Sequence, residues 1–288
     1  MNIGEKIRKL RTAKLMTQTE LAGAEITRNM LSQIENGNAM PSMATVQYIA
    51  KRLNISTGYL MADDNDEQIY CKHNEISDIK RAYMSGAFRI CRDMCAQAHS
   101  DDEIKLIHAE CALELAIEEF NSGNLRDACE YFDEAVEACS QTIYNTGHIV
   151  AVAGVYFKYM KLFSGTLESG VLDVDVVNIS PAMTNEFCIY WNIMQSESFD
   201  IASEDFLRLD AKGPYSMYIK AHYEMGQGNY GEAYRLFHEI LFGVASVPQP
   251  VLYFVICNLE VCCKELDDYK GAYQYAGEKL SALQKLLS

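Results

Sequence analysis

Proline is scarce, at five residues in 288, and there is a single tryptophan. So little proline leaves long stretches of backbone free to hydrogen-bond as helix. Long apolar runs are also missing. The longest, such as Ile149–Phe157, reach about half of the ~20 residues that a membrane span requires. The opening MNIGEKIRKLR carries charge where a secretory signal needs an apolar stretch. The expectation is a cytoplasmic protein with no membrane partner. Cysteine is plentiful, at ten residues, but no CxxC pair occurs and the thiols from Cys71 to Cys263 fall inside apolar helical patterns. They read as small buried hydrophobes and not as a disulfide framework. Cys91, Cys95 and His99 recur every four residues on one helix face. Three ligands from one helix do not readily close a tetrahedral shell, so core packing is expected, with no metal and no cofactor.

Catalytic constellations are absent as well. There is no HExxH, GxSxG or P-loop, and the histidines at 73, 99, 108, 148, 222 and 238 have no acid or nucleophile at a useful spacing. The run Gly226-Gln-Gly228-Asn-Tyr-Gly231 formally matches GxGxxG, but that fingerprint needs a preceding strand, and here the glycines fall between two helical patterns. It reads as a turn. The acidic pairs Asp101-Asp102-Glu103 and Glu118-Glu119 read as solvated faces and helix N-terminal charge. No enzyme is expected.

Positive charge is the remaining shortage, with 25 Lys and Arg against 40 Asp and Glu and a net charge of −15. It is unevenly spread. Residues 1–62 hold eight basic and four acidic side chains, or +4, leaving 17 − 36 = −19 for the rest. A basic head on an acidic body implies that only the head meets a polyanion. The sequence divides into a head at 1–62, an acidic linker at 63–70 beginning Asp63-Asp64-Asn65-Asp66-Glu67, and a body at 71–288.

The head reads as five short helices. Ile3, Ile7 and Leu10 form the first stripe, and Thr17 with Glu20 makes a capping box for the second helix. Thr27 caps the third, which stops at Asn36-Gly37. Pro41-Ser42 opens a fourth with Val46, Ile49, Ala50 and Leu53 inward, and Ser56 opens a last turn. Helices over Gln18–Ala24 and Arg28–Asn36 have helix-turn-helix spacing. The run TQTELAGAEITRNMLSQIENGNAMPSMATVQYIAKRLNIS resembles the lambda-repressor-like, xenobiotic-response-element class of DNA-binding domains. The likeness is carried by Gln18, Glu20-Leu21-Ala22, Ile34-Glu35-Asn36-Gly37, Pro41-Ser42 and the helix end at Ala50–Leu53. One departure is the turn from Gly23 to Ile26, about a residue shorter than usual in that class.

The resemblance implies a double-stranded DNA operator and assigns roles. The third helix enters the major groove by its N-terminal end, so Thr27, Arg28, Asn29, Ser32 and Gln33 face base edges. Arg28 suits guanine, while Asn29 and Gln33 suit adenine. Gln18, Asn36 and Asn38 hold the phosphate backbone, and Arg11 and Glu35 occupy the positions of a structural ion pair.

The body repeats itself. Gly123-Asn124-Leu125-x2-Ala128-x3-Phe132 and Gly228-Asn229-Tyr230-x2-Ala233-x3-Phe237 share one spacing, and Asp267-Asp268-Tyr269-x2-Ala272 is a third copy. Weaker copies start at Gly86 and near 197, and another is expected around 158–174. This resembles the tetratricopeptide repeat, which implies helical hairpins stacked into a solenoid with a concave groove. Projecting the repeat places Phe187, Trp191, Asn192, Gln195, Tyr218, His222, Phe254, Cys257 and Asn258 on that groove. Aromatics with scattered amides suit a short peptide.

The expected fold is therefore all-α, a five-helix lambda-repressor-like head followed by a tetratricopeptide-like α-solenoid. The pairing resembles the Rgg and PlcR-like peptide-responsive regulators, which implies a transcription regulator that senses a signalling peptide. Two other readings of the body stay open, a protein-docking module and a ligand-free dimerisation scaffold. Two heads sharing one operator imply a homodimer with half-sites roughly 34 Å apart. Tyr273, Ala276, Leu280, Leu283 and Leu287 form a candidate stripe for it at the C-terminal end, where a capping helix that folds the stripe back is the competing reading.

Overall fold

The computed structural model describes residues 2–62, 67–98, 101–163, 185–196, 203–244 and 246–287, with the side chains of 67–74 outside the description. Every regular element among the described residues is a helix. The chain forms two compact units, Met1–Arg81 and Ala82–Ser288.

The first unit holds α1 (Ile3–Ala13), α2 (Gln18–Ala22), α3 (Arg28–Glu35), α4 (Met43–Arg52) and α5 (Thr57–Met61). Each starts at a residue whose side chain accepts a backbone N–H three residues on: Asn2, Thr17, Thr27, Ser42 and Ser56. Each such cap is worth about 1 kcal/mol, and in α1 and α2 a glutamate completes the reciprocal box. The helices bury one core of Ile7, Leu21, Leu31, Ile34, Ile49 and Leu53. Gly4 lets α1 and α3 touch backbone to backbone, since a Cβ there would overlap the Ile34 carbonyl oxygen. Lys6 is buried with its ammonium 4.3 Å from the centre of the Tyr59 ring and its Nζ donating to the Ala62 carbonyl at 3.4 Å, which ties α1 to α5.

A longer helix, α6 (Glu67–Met84), follows. The division between the units, at Arg81–Ala82, falls inside it, whereas the sequence placed the start of the body at 71. The charge pattern marks where solvation changes, and packing divides the chain further on. The part of the acidic linker at 63–66 lies outside the described residues.

The second unit runs through α7 (Phe88–Gln97), α8 (Asp102–Ser122), α9 (Leu125–Ser140), α10 (Gly147–Met160), α11 (Glu186–Gln195), α12 (Glu204–Leu207), α13 (Pro214–Gly226), α14 (Tyr230–Gly243), α15 (Gln249–Glu265) and α16 (Tyr269–Leu287). The pairs α8/α9, α13/α14 and α15/α16 are hairpins built on one plan. The reversing residue is left-handed in each, with φ of +92° at Gly123, +80° at Gly228 and +59° at Asp267. After each glycine comes an asparagine that donates back to a glutamate five residues earlier, Asn124 to Glu119 at 2.6 Å and Asn229 to Glu224 at 2.7 Å. The small Ala128, Ala233 and Ala272 and the large Phe132 and Phe237 are all buried. GxGxxG is the α13–α14 turn, preceded by a helix. The copies projected near 197 and over 158–174 fall largely on 164–184 and 197–202, outside the described residues.

Cys91, Cys95 and Cys111 are buried where α7 meets α8, and burial, together with the neighbouring Cys91, pushes the Cys95 thiol up to about 12. His99, grouped with the first two by spacing, lies outside the described residues. Between the hairpins sits an aromatic cluster. Phe120 meets Tyr156 at 4.8 Å and Phe187 at 5.0 Å between ring centres, Tyr159 meets Phe187 at 5.0 Å, and Tyr190 stacks on Tyr215 at 5.2 Å. One cluster thus joins α8, α10, α11 and α13. Phe120 is fully buried and meets three of these rings, Tyr156, Tyr159 and Phe187, so Phe120→Ala opens a cavity in the cluster. We expect a loss of about 3–5 kcal/mol in denaturant unfolding of the body; a loss under about 1 kcal/mol would contradict this packing.

Candidate nucleic-acid interface

The site is built on α3. Thr27 is its N-cap, with its hydroxyl accepting from the Met30 N–H at 3.1 Å. Leu31, Ile34 and Glu35 face the core, which leaves Arg28, Asn29 and Gln33 exposed and Ser32 half-buried on the other side. The exposed set is one cation and one amide at the helix N-terminus and a second amide in its last turn, with the half-buried Ser32 hydroxyl between them. These are the donors and acceptors that base edges and phosphates pair with. Asn36 caps the helix end, and Asn38, also exposed, follows it with its N–H on the Gln33 carbonyl at 2.8 Å.

Glu35 holds the unit together from inside. Its side chain is 1% exposed, and its two oxygens accept from Arg11 Nε at 2.6 Å and Arg11 Nη2 at 3.0 Å. Gln18 Nε2 donates to the same carboxylate at 2.8 Å, and Arg11 Nη1 donates to the Met16 carbonyl at 2.7 Å. One carboxylate therefore joins α1, α2 and α3. The resemblance placed Gln18 on phosphate. In the structure one of its amide hydrogens is engaged with Glu35, so the side chain is oriented from within.

Burial acts to raise the Glu35 carboxyl, but hydrogen bonds from Arg11 and Gln18 outweigh it and hold the group below its ordinary range. A carboxyl lowered by folding contributes stability above its unfolded pKa and loses it as pH falls through the folded value. We expect the head to weaken below about pH 4.5, and Glu35→Gln to flatten that acid dependence. Glu35→Ala leaves Arg11 unpaired and is expected to cost roughly 3–5 kcal/mol. Hydrogen exchange across residues 3–35 measures both.

Two contacts were not anticipated from the sequence. Tyr48 Oη, on α4, donates to the Ala22 carbonyl at 2.9 Å, and Arg52, one turn further on, donates from Nη2 to the Glu20 carbonyl. Their spacing of four residues on one helix face was the available signal, but nothing local names the partner.

In the body, the residues projected onto the groove separate. Asn192, Gln195 and His222 are exposed, and Trp191, Phe254, Cys257 and Asn258 are half-buried. Phe187 and Tyr218 do not line a groove: they are 2% and 4% exposed, inside the aromatic cluster. Repeat register fixes the phase of a helix but not which part of its face the next helix covers. The Asn258 amide is engaged, donating to Tyr218 Oη at 2.9 Å. A cleft of about 690 Å³ lies elsewhere, where the turn at Gly123 meets α15 and α16 beside Gln249, Tyr253, Glu278 and Lys285. None of the residues projected onto the groove lines it. Of the C-terminal stripe, Tyr273, Leu280 and Leu287 are 84%, 61% and 53% exposed, while Ala276 and Leu283 are half-buried.

Residues 7–60 match the helix-turn-helix family. No curated protein matches the chain by sequence. Among solved structures, the chain is similar to ComR from S. thermophilus in complex with DNA and its signalling peptide ComS. The two are 18% identical over 98% of this chain and 99% of that one, with a TM-score of 0.27. It is also similar to PlcR of Bacillus thuringiensis in complex with the peptide PapR7 and DNA, at 12% identity over 99% of each chain and a TM-score of 0.22. A third is ComR from Streptococcus vestibularis with its cognate signalling peptide XIP, at 15% identity, 97% and 98% coverage and a TM-score of 0.23. At such TM-scores these superpositions place no residue of this chain. No helix among the described residues is long and apolar enough to cross a membrane.

Proposed function

With a helix-turn-helix head and a helical-repeat body as premises, we propose that the chain is a cytoplasmic, sequence-selective transcription regulator acting as a homodimer. A short peptide bound by the repeat body controls it. The observation that carries the DNA part is the exposed set Arg28, Asn29 and Gln33 on a helix anchored from behind by the buried Glu35. The peptide part is supported by the half-buried Trp191 and Phe254, which both pack on Tyr159, and by the exposed amides Asn192 and Gln195 on the helix that carries Trp191. Aromatic surface with adjacent amides accommodates side chains and backbone of an extended segment. A second reading, a body that only dimerises, is favoured by the burial of Phe187 and Tyr218 and by the engaged Asn258 amide.

For the DNA part, a duplex selected from a random pool is titrated with protein at fixed salt. Arg28→Ala is expected to weaken binding by about 1–3 kcal/mol and to relax preference at one base pair. Unchanged affinity would remove Arg28 from the interface. Sedimentation at micromolar concentration tests assembly: a 32.5 kDa species that stays monomeric with and without the selected duplex contradicts the dimer. A thermal-shift screen with short peptides separates the two readings of the body, because the dimerisation-only reading expects no shift.

A further inference from the structure

Residues that touch DNA are not the only ones that set how it is read; the angle at which α3 is presented matters equally. That angle is decided in the turn Gly23–Thr27, which joins the end of α2 to the start of α3. A five-residue helix has few internal hydrogen bonds, and the last carbonyls of any helix lack intrahelical partners. In α2 two of these carbonyls are taken by side chains of α4: Ala22 by the Tyr48 hydroxyl at 2.9 Å, and Glu20 by the Arg52 guanidinium. A guanidinium is also favoured at the negative end of a helix dipole. Gly23 follows with φ +57°, and a Cβ on it would overlap the Tyr48 hydroxyl. The turn has no room for another residue type while Tyr48 holds this position.

Leu21 and Ala22 are already buried in the core with Ile49 and Ala50. Apolar packing therefore suffices to keep α2 against α4. The two polar contacts add direction: they fix the plane of the last peptides of α2, and with it the path by which the chain reaches Arg28. Because the turn is short, few dihedral angles remain to absorb an error before α3 begins.

We propose that Tyr48 and Arg52 are positioning residues for DNA recognition, which set the presentation of α3 by capping the carbonyl end of α2. The proposal rests on the DNA-binding reading above. Tyr48 is the better probe, because it carries no charge that could itself meet a phosphate, and Tyr48→Phe keeps the ring while deleting the donor.

The experiment uses the full chain. A duplex is selected from a random pool with the wild type, and affinities for it and for a scrambled duplex are measured at the same salt for wild type, Tyr48→Phe and Arg52→Gln. Thermal unfolding is followed in parallel. Loss of one hydrogen bond corresponds to about a fivefold effect. The expected result for Tyr48→Phe is a selected-over-scrambled ratio lowered about fivefold, with scrambled affinity unchanged, because phosphate contacts do not read sequence. Arg52→Gln is expected to lower the same ratio. An unchanged ratio in Tyr48→Phe, or equal loss on both duplexes, overturns the proposal and leaves the DNA reading intact. If the wild type selects no duplex, the DNA reading fails and takes the proposal with it.

Discussion

A single buried carboxylate organises the head. Isolated in an apolar interior, Glu35 would take up a proton or unfold its surroundings, because desolvation of a bare charge costs more than packing returns. Here it is bound by the fork of Arg11 and the amide of Gln18. Such a group is strongly directional. It accepts only the arrangement in which α1 and α2 bring their donors to the carboxylate that α3 supplies, while the surrounding leucines and isoleucines would tolerate several. The apolar core makes the head stable, and the charged contact selects one packing of it.

The body solves a different problem. A two-helix hairpin buries one face and leaves another bare, so each must be covered by the next. Alanines at 128, 233 and 272 allow the helices of a pair to approach, and Phe132 and Phe237 fill the space beyond. In these three hairpins the turn is made with a left-handed residue, glycine at 123 and 228 and aspartate at 267. Aspartate tolerates that region better than most side chains, which is why the third copy could be recognised without its glycine.

What could be read from the sequence was local. Helix caps at Thr17, Thr27 and Ser42, the hairpin turns at 123 and 228, and the all-α class depend on residues within a few positions of one another, and periodicity reports them directly. Apart from the Arg11–Glu35 pair, which the family resemblance supplied, contacts between distant segments were not legible. Nothing near Tyr48 says that its hydroxyl meets Ala22, 26 residues away. Phe187 and Tyr218 show the same limit in the other direction: their helical phase was readable, but their burial depends on rings at 120, 156 and 237 contributed by other helices. The extent of α6 is a third case, since a helix can run on through a change in charge density.

The distribution of charge links the two units. A head of +4 is weak attraction for a polyanion, and the −19 carried by the linker and body together opposes it. At physiological salt such fields decay within about 8 Å, so the repulsion acts only on body surface that comes close to the duplex. The consequence is selective. On the proposed DNA-binding reading, non-specific binding, which depends on summed charge, is the mode this charge balance weakens most, and short-range hydrogen bonds from Arg28, Asn29 and Gln33 would be weakened least. Weak electrostatics therefore places the burden of affinity on geometry. On that reading the recognition helix must be held at a fixed angle more firmly than in a strongly basic protein, and the head has two contacts that could do so: Glu35 beneath α3, and the capped end of α2 that leads into it.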